Sequence, residues 1–112
     1  MSKKLIGGAT EQLSDGVSYF PLLLDDSVEH KQHLPFNVTS VSVQANGESI
    51  IESHQSREIW AIVKGEGLVH SEGEAFACRP GDVFFFDSYN NHKVTNQSDE
   101  TMVLTSMWWP VD

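Results

Sequence analysis

The chain has few of the residues and segments that mark secreted, membrane-spanning or nucleic-acid-binding proteins. Its 112 residues include a single cysteine, Cys78, so no disulfide can form within the chain. No apolar run approaches the roughly 18 residues that predict a membrane-spanning helix. The first residues, Met1 to Gly8, have a basic start but no apolar segment long enough for a signal peptide. We therefore expect a cytoplasmic protein in which Cys78 is a small buried side chain.

Positive charge is also scarce. Seven Lys and Arg stand against sixteen Asp and Glu, which gives a formal net charge of −9 at pH 7. A field of that sign repels phosphate backbones and anionic lipid, so we expect neither nucleic acid nor a membrane as a partner. Hydrophobic residues make up 39% of the chain, which is enough for one core. We expect residues 1–112 to form a single domain.

The apolar residues occur in short β-branched and aromatic runs, and no run keeps a helical period. Turn-forming pairs such as Asn46-Gly47 and Pro80-Gly81 separate these runs at close intervals. The pattern predicts an all-β sandwich or barrel. The polar stretch Asp25–Pro35 is expected to be irregular or briefly helical. The predicted strands are Val17–Leu24, Val38–Ala45, Ser49–Glu52, Glu58–Lys64, Gly67–Ser71, Ala75–Cys78, Asp82–Asp87, His92–Asn96 and Met102–Trp109.

Alternation along the predicted strands sorts side chains into two faces. If the strand around residue 58 is continuous or only gently bent, its even-numbered residues point to one face, which carries both polar and apolar groups. These residues are Glu52, His54, Glu58, Trp60 and Ile62. The barrel interior is expected to close around Trp60, Ile62, Phe84 and Phe86. The opposite face is apolar at Ile59, Ala61 and Val63, and the terminus Met107-Trp108-Trp109 adds to it. Exposed faces of this kind predict a homodimer with a twofold axis.

Two segments bring imidazole and carboxylate groups together in a recognisable order. In the first, His54, Glu58 and Gly65 have the spacing His-x3-Glu-x6-Gly. In the second, a Pro-Gly-Asp turn and an apolar strand precede His-x3-Asn, which is matched by His92 and Asn96. Over residues 37–109 this arrangement resembles the two motifs of the cupin superfamily. The resemblance implies a double-stranded β-helix, or jelly-roll barrel, with one divalent metal ion inside.

The resemblance also implies a set of metal ligands. Carried over by position, they are His54, Glu58 and His92, with Glu52 where the family usually has its first His. Gly47 lies one residue closer to the motif than the usual spacing, so this sequence departs from the family pattern at Gly47 and at Glu52. Imidazole and carboxylate together suit Fe(II), Mn(II), Ni(II) or Zn(II), and we expect one such ion per chain.

Two residues are candidates for a catalytic role. Glu52 is a metal ligand, a free carboxylate that acts as general base beside a bound substrate, or a plain surface carboxylate. Tyr89, shortly before His92, is either a residue that hydrogen-bonds a ligand at the pocket mouth or a turn residue. Asn96 is expected to fix a turn or a strand end.

Three functions remain open at this point, because one fold supports many activities. The first is a metal-dependent enzyme of isomerase or lyase type that acts on a small polar metabolite, with the metal as Lewis acid. The second is an iron-dependent dioxygenase. The third is a non-enzymatic module that binds or senses a small molecule.

Overall fold

The computed structural model describes residues 4–24, 36–49 and 51–111, and these residues form β-strands and no helix. The ten strands, numbered in chain order, account for about half of the chain. They are β1 (Leu5–Gly7), β2 (Glu11–Ser14), β3 (Val17–Leu24), β4 (Asn37–Val43), β5 (Arg57–Lys64), β6 (Gly67–Ser71), β7 (Glu74–Cys78), β8 (Val83–Phe86), β9 (His92–Asn96) and β10 (Met102–Trp109).

The strands make two antiparallel sheets. The larger has seven strands in the order β1-β3-β4-β10-β5-β8, with β2 paired to β3, and the smaller has the order β7-β6-β9. The position of β10 between β4 and β5 brings the end of the chain into the middle of the larger sheet. This all-β architecture is the expected jelly-roll barrel. Within the described residues no helix is long and apolar enough to cross a membrane.

The hydrophobic core lies between the two sheets and follows the alternation in the sequence. Trp60, Ile62 and Phe86 are buried in it, and Phe84 packs against it, as expected for the barrel interior. The intervening residues Val83 and Phe85 are exposed on the outer face. The full set of buried core residues is Val17, Val43, Trp60, Ile62, Val69, Cys78, Phe86, Val94, Met102 and Leu104.

Cys78 is a buried free thiol, as its sequence context predicts. Burial raises the pKa of Cys78 above its ordinary value, and the carboxylates of Asp82 and Glu66 act in the same direction. These influences outweigh a backbone hydrogen bond involving Gly67, which lowers the pKa. The thiol therefore serves as a small core side chain.

The structure differs from the strand prediction at two places. Strands β1 and β2 were not predicted because they are short and lie at the margin of the sheet, where Glu11 and Gln12 give little hydrophobic signal. A signal for the β2–β3 hairpin was present in Asp15-Gly16, because Asp-Gly favours a tight turn and Gly16 has a φ of 76°.

The second difference concerns the predicted strand Ser49–Glu52, whose described residues, with Glu48 before them, form isolated bridges at Glu48 and Glu52. Ser49 donates its N–H to the carbonyl of Val94, and Glu52 exchanges backbone bonds with His92. Ser49 and Glu52 thus contact β9 at two separate residues, Val94 and His92. Ile50, like the segment Asp25–Pro35 that was expected to be irregular or helical, lies outside the described residues.

Candidate metal centre

The two predicted motifs meet at one side of the barrel interior. His92 is the first residue of β9, and the bridge to Glu52 holds the segment before β5 against it. The turn after β8 adds a second tie, because the N–H of Tyr89 donates to the carbonyl of His54. Ser53 donates its hydroxyl to the carbonyl of Tyr89 at 2.8 Å. These backbone contacts bring together two histidines that are 38 positions apart in the sequence.

Glu52, His54 and His92 form a cluster in which one ligand atom from each lies within 4.8 Å of the others. The Oε2 of Glu52 is 2.7 Å from the Nε2 of His54, and the two imidazole centroids are 5.5 Å apart. The side chains run from the interior to the surface: His92 is 4% exposed, Glu52 27% and His54 44%. The cluster is therefore anchored in the core on one side and open on the other.

Glu58 is buried beside this cluster and is not part of the group that lies within 4.8 Å. Its Oε1 is 3.0 Å from the Nε2 of His92. Its Oε2 accepts hydrogen bonds from the indole N–H of Trp60 at 2.7 Å and from the hydroxyl of Ser106. The sequence motifs predict Glu58 as a metal ligand. In the structure its carboxylate contacts the imidazole of His92.

The electrostatics of the Glu58–His92 pair follow from burial and hydrogen bonding. Burial by itself would raise the pKa of Glu58, but hydrogen bonds from His92, Ser106 and Trp60 outweigh it and lower the pKa. Burial would lower the pKa of His92, and the bonds to Glu58 and to the carbonyl of Asn90 outweigh it and raise the pKa. A charged pair is therefore favoured inside the barrel.

The donor set fits a divalent transition metal. Two ligand atoms bound at about 2.1 Å in neighbouring positions of one ion lie roughly 3.0–3.5 Å apart. The two observed spacings, 2.7 Å for Glu52–His54 and 3.0 Å for Glu58–His92, are close to that range. The Nδ1 of His92 lies 3.0 Å from the carbonyl of Asn90, which orients the ring with Nε2 toward the site. Nitrogen and oxygen donors of this kind suit Fe(II), Mn(II), Ni(II) or Zn(II).

The cluster lies on a cavity of about 280 Å³. Glu52, His54, Glu58 and His92 line one part of it, together with hydroxyl side chains such as Ser106. The remaining wall is mostly apolar and includes Leu13, which belongs to the strand β2 that was not predicted. The other lining residues are Val17, Tyr19, Thr39, Val41, Ser49, Ser56, Trp60, Val94, Leu104 and Trp108.

Two other predicted residues lie outside this cavity. The side chain of Tyr89 is 65% exposed, and the residue has a φ of 63° in the turn before β9. Its backbone is what ties it to the site, through His54 and Ser53. Asn96 is buried and has a structural role: its amide donates to the carbonyls of Val43, Gln44 and Glu100.

Ser106 is the site residue that motif reasoning missed. It lies on β10 opposite Trp60 and reaches Glu58 through its hydroxyl. A signal was available, because the inward-facing row Met102, Leu104, Ser106 contains a single polar residue, and a buried polar group needs a hydrogen-bond partner. The identity of the partner depended on the pairing of β10 with β5.

Comparison with known proteins places the chain among similar barrels. The Cupin_2 family, described as a cupin domain, matches residues 39–108. A cupin 2 conserved barrel domain protein from Salinispora arenicola superposes with a TM-score of 0.73 at 24% identity, over 89% of this chain and 81% of that one.

Two further solved structures have the same fold. KdgF from a Halomonas species has a TM-score of 0.72 at 17% identity and covers 94% of this chain and 90% of its own. A predicted oxalate decarboxylase from Thermotoga maritima has a TM-score of 0.71 at 18% identity, with 97% of this chain and 94% of that chain covered. At these identities the likeness concerns the fold.

Proposed function

We propose that this chain, which belongs to the Cupin_2 family of cupin domains, is a metal-dependent enzyme of isomerase or lyase type that acts on a small polar metabolite. The observation that carries the proposal is the convergence of Glu52, His54 and His92 on a cavity large enough for a small molecule. Two imidazoles and a carboxylate that converge on one cavity are a donor set for a divalent ion, and titratable clusters of this kind are typical of functional sites.

The residues have separate roles in this proposal. His54 and His92 hold one divalent ion, with Glu52, Glu58 or both as carboxylate ligands. A bound ion would supply Lewis-acid polarisation of a substrate carbonyl. Glu52, if it is left free by the ion, is positioned to take a proton from the carbon next to that carbonyl and return it at another atom. The buried surroundings of His92 keep water away from the interior side of the site.

Tyr89 remains a proposed participant at the rim. Its phenol is exposed beside the segment that carries His54, so it is available to a ligand that extends out of the cavity. Its role as a hydrogen-bond donor to such a ligand is part of the proposal and is secondary to the metal cluster.

An iron-dependent oxygenase is the second candidate, and a specific observation favours it. The group within 4.8 Å consists of two histidines and one carboxylate, which is the ligand composition of many non-haem Fe(II) oxygenases. Iron and molecular oxygen would supply the redox chemistry, and the chain would supply the three ligands and the apolar cavity.

The experiment begins with the metal content of protein purified without chelator and without a histidine tag. We expect about one divalent ion per chain, and His54→Ala and His92→Ala should each reduce it well below that value. His70→Ala is the matched control, because His70 lies on β6 and bonds to Thr95, away from the cluster. Equal metal content in all three variants would overturn the proposal.

The identity of the ion separates the candidates. Manganese, nickel or zinc favours the isomerase or lyase, and iron with substrate-dependent oxygen uptake favours the oxygenase. A protein with no bound ion that still binds small molecules would be the non-enzymatic module.

A further inference from the structure

The cavity has a polar end and an apolar end. The register across the larger sheet places Ser106 opposite Trp60 and Thr39, and Leu104, two residues along β10, opposite Ile62 and Val41. Two residues along a strand span about 6.8 Å. The cavity wall is therefore polar at Ser106, which contacts Glu58, and aliphatic at Leu104, two residues away on the same strand. A ligand that fills the cavity touches both ends.

The polar end has little attraction for an anion. It carries two carboxylates, Glu52 and Glu58, so a divalent ion bound there with neutral imidazoles brings the formal charge of the site to zero. With a histidine in place of Glu52 the same site would carry one positive charge. Among the residues that the structure describes, no Lys or Arg lines the cavity. The net charge of −9 adds a field that repels anions over the whole molecule.

The apolar end favours a hydrocarbon group. Val17, Val41 and Leu104 form a continuous patch on the inner face of β3, β4 and β10, and Leu13 of β2 also lines the cavity. At about 280 Å³ the cavity is slightly smaller than the range of roughly 300–1,000 Å³ for drug-sized ligands. Its occupant is therefore small. A dicarboxylate such as oxalate would meet the two glutamates and leave the aliphatic wall without contact.

We infer that the cavity selects a small uncharged molecule that carries carbonyl or hydroxyl oxygens at one end and a short hydrocarbon chain at the other, in preference to a carboxylate or a phosphate. This inference names the substrate class of the proposed enzyme. It rests on the proposed function only for the metal ion at the polar end of the cavity. The preference for the hydrocarbon and against negative charge belongs to the cavity itself.

The test compares two probes that share a butyl chain. 1-Hydroxyhexan-2-one is uncharged, and 2-oxohexanoate has a carboxylate in place of its hydroxymethyl group. A third probe, hydroxyacetone, lacks most of the hydrocarbon. Binding is followed by tryptophan fluorescence, because Trp60 and Trp108 line the cavity. The titrations are run on the zinc-loaded and the metal-free protein.

We expect 1-hydroxyhexan-2-one to bind at least ~10-fold more tightly than hydroxyacetone, because burial of three further methylene groups is favourable. In the metal-free protein, where Glu52 and Glu58 are not neutralised by an ion, it should also bind at least ~10-fold more tightly than 2-oxohexanoate. Equal or tighter binding of 2-oxohexanoate to the metal-free protein would overturn the inference, and so would failure of all three probes to bind. A protein that takes up no zinc but keeps the preference contradicts the proposed function and supports this inference.

A charge variant adds an independent check. Thr39→Lys places a cation in the cavity wall, and Ser40→Lys places one on the opposite face of the same strand. Thr39→Lys should strengthen binding of 2-oxohexanoate, and Ser40→Lys should leave the order of the probes unchanged. If Thr39→Lys does not fold, as judged by far-UV circular dichroism, the comparison of probes on the unmodified protein decides.

Discussion

At the scale of single residues, the site depends on which atoms of each carboxylate are already engaged. Glu58 uses Oε2 for Trp60 and Ser106 and Oε1 for His92, so its orientation is set by three neighbours. Glu52 has His54 as its side-chain partner and is partly exposed. Fewer contacts therefore fix the orientation of Glu52 than that of Glu58, and Glu52 stands at the position that the family resemblance assigns to a histidine, so it is the more informative residue to change.

Replacement of Glu52 separates its possible roles. If Glu52 is a ligand beside His54 and His92, Glu52→Gln removes a bond to the metal. Loss of a residue that only hydrogen-bonds a ligand lowers metal affinity by ~10–100-fold, so loss of a ligand itself should lower it further. Glu52→His should restore that affinity. Isothermal titration with Zn²⁺ measures both variants. Intact metal binding with turnover reduced by about 10²–10⁴-fold would instead identify Glu52 as the general base. If neither quantity changes, Glu52 is a surface carboxylate.

Loss of the Ser106 hydroxyl should destabilise the fold. Ser106→Ala removes one of the two hydrogen bonds that the Oε2 of the buried Glu58 accepts, and a hydrogen bond to a charged group contributes about 1.5–3 kcal/mol. Urea denaturation followed by tryptophan fluorescence gives the change in the free energy of unfolding. Ser42→Ala is the control. It also removes one serine hydroxyl, but Ser42 lies on β4 and on the opposite face of the sheet from Ser106. Equal stability of the two variants would show that Glu58 does not need Ser106.

At the scale of strands, the position of His92 depends on how closely β6 approaches β9. Gly67 begins β6 and pairs with Asn96, and a Cβ at Gly67 would lie 2.1 Å from the carbonyl oxygen of Thr95. Because that atom belongs to the backbone, it cannot move aside as a flexible side chain would. The two strands must separate to admit any side chain at this position, and β9 carries His92 at its other end.

The variant Gly67→Ala should therefore lose about 3 kcal/mol of stability, near the upper end of overpacking costs. Gly73→Ala is the matched control, since Gly73 has a φ of 79° in the β6–β7 turn and no atom within 4 Å of an added Cβ. It should lose only the cost of the left-handed conformation, about 1 kcal/mol. Thermal and urea denaturation compare the two. A smaller loss in Gly67→Ala than in Gly73→Ala would contradict the close approach of β6 and β9.

At the scale of the whole molecule, the outer face of the larger sheet remains apolar. Val83 is 64% exposed and Phe85 57%, and they lie opposite Ala61 and Ile59 in the sheet. The same outer face continues through Met107, next to a surface groove of about 530 Å³ formed with Phe36, Trp109 and Pro110. A contiguous apolar surface of this kind favours association of two copies, and a twofold axis would cover both faces at once.

We therefore expect the protein to be a homodimer in solution, with a mass twice that of the chain by light scattering at micromolar concentration. The double variant Val83→Lys and Phe85→Lys should be monomeric with an unchanged far-UV spectrum, because both side chains point outward. Leu23→Lys, which charges another exposed apolar position on β3, is the control and should stay dimeric. A monomeric mass for the unmodified protein would refute the prediction.

The sequence by itself determined most of the strand pattern and the two chemical motifs. The bounds of β3, β6, β9 and β10 follow directly from short apolar runs between turn residues, since alternation and turn chemistry are local properties. The spacing of His54 and Glu58, followed by His92 after an apolar strand, was likewise readable as a pattern that resembles a metal-binding barrel.

Only the tertiary structure decided how those residues are divided within the site. Glu52 joins His54 and His92 because of a single bridge to β9, and Glu58 turns to His92 because Ser106, 48 residues away, holds its other oxygen. Leu13 enters the cavity wall through a short polar strand that carries almost no hydrophobic signal. Each of these contacts joins residues far apart in the chain, and pairing between distant strands is set by the packing of the whole barrel, which no local pattern encodes.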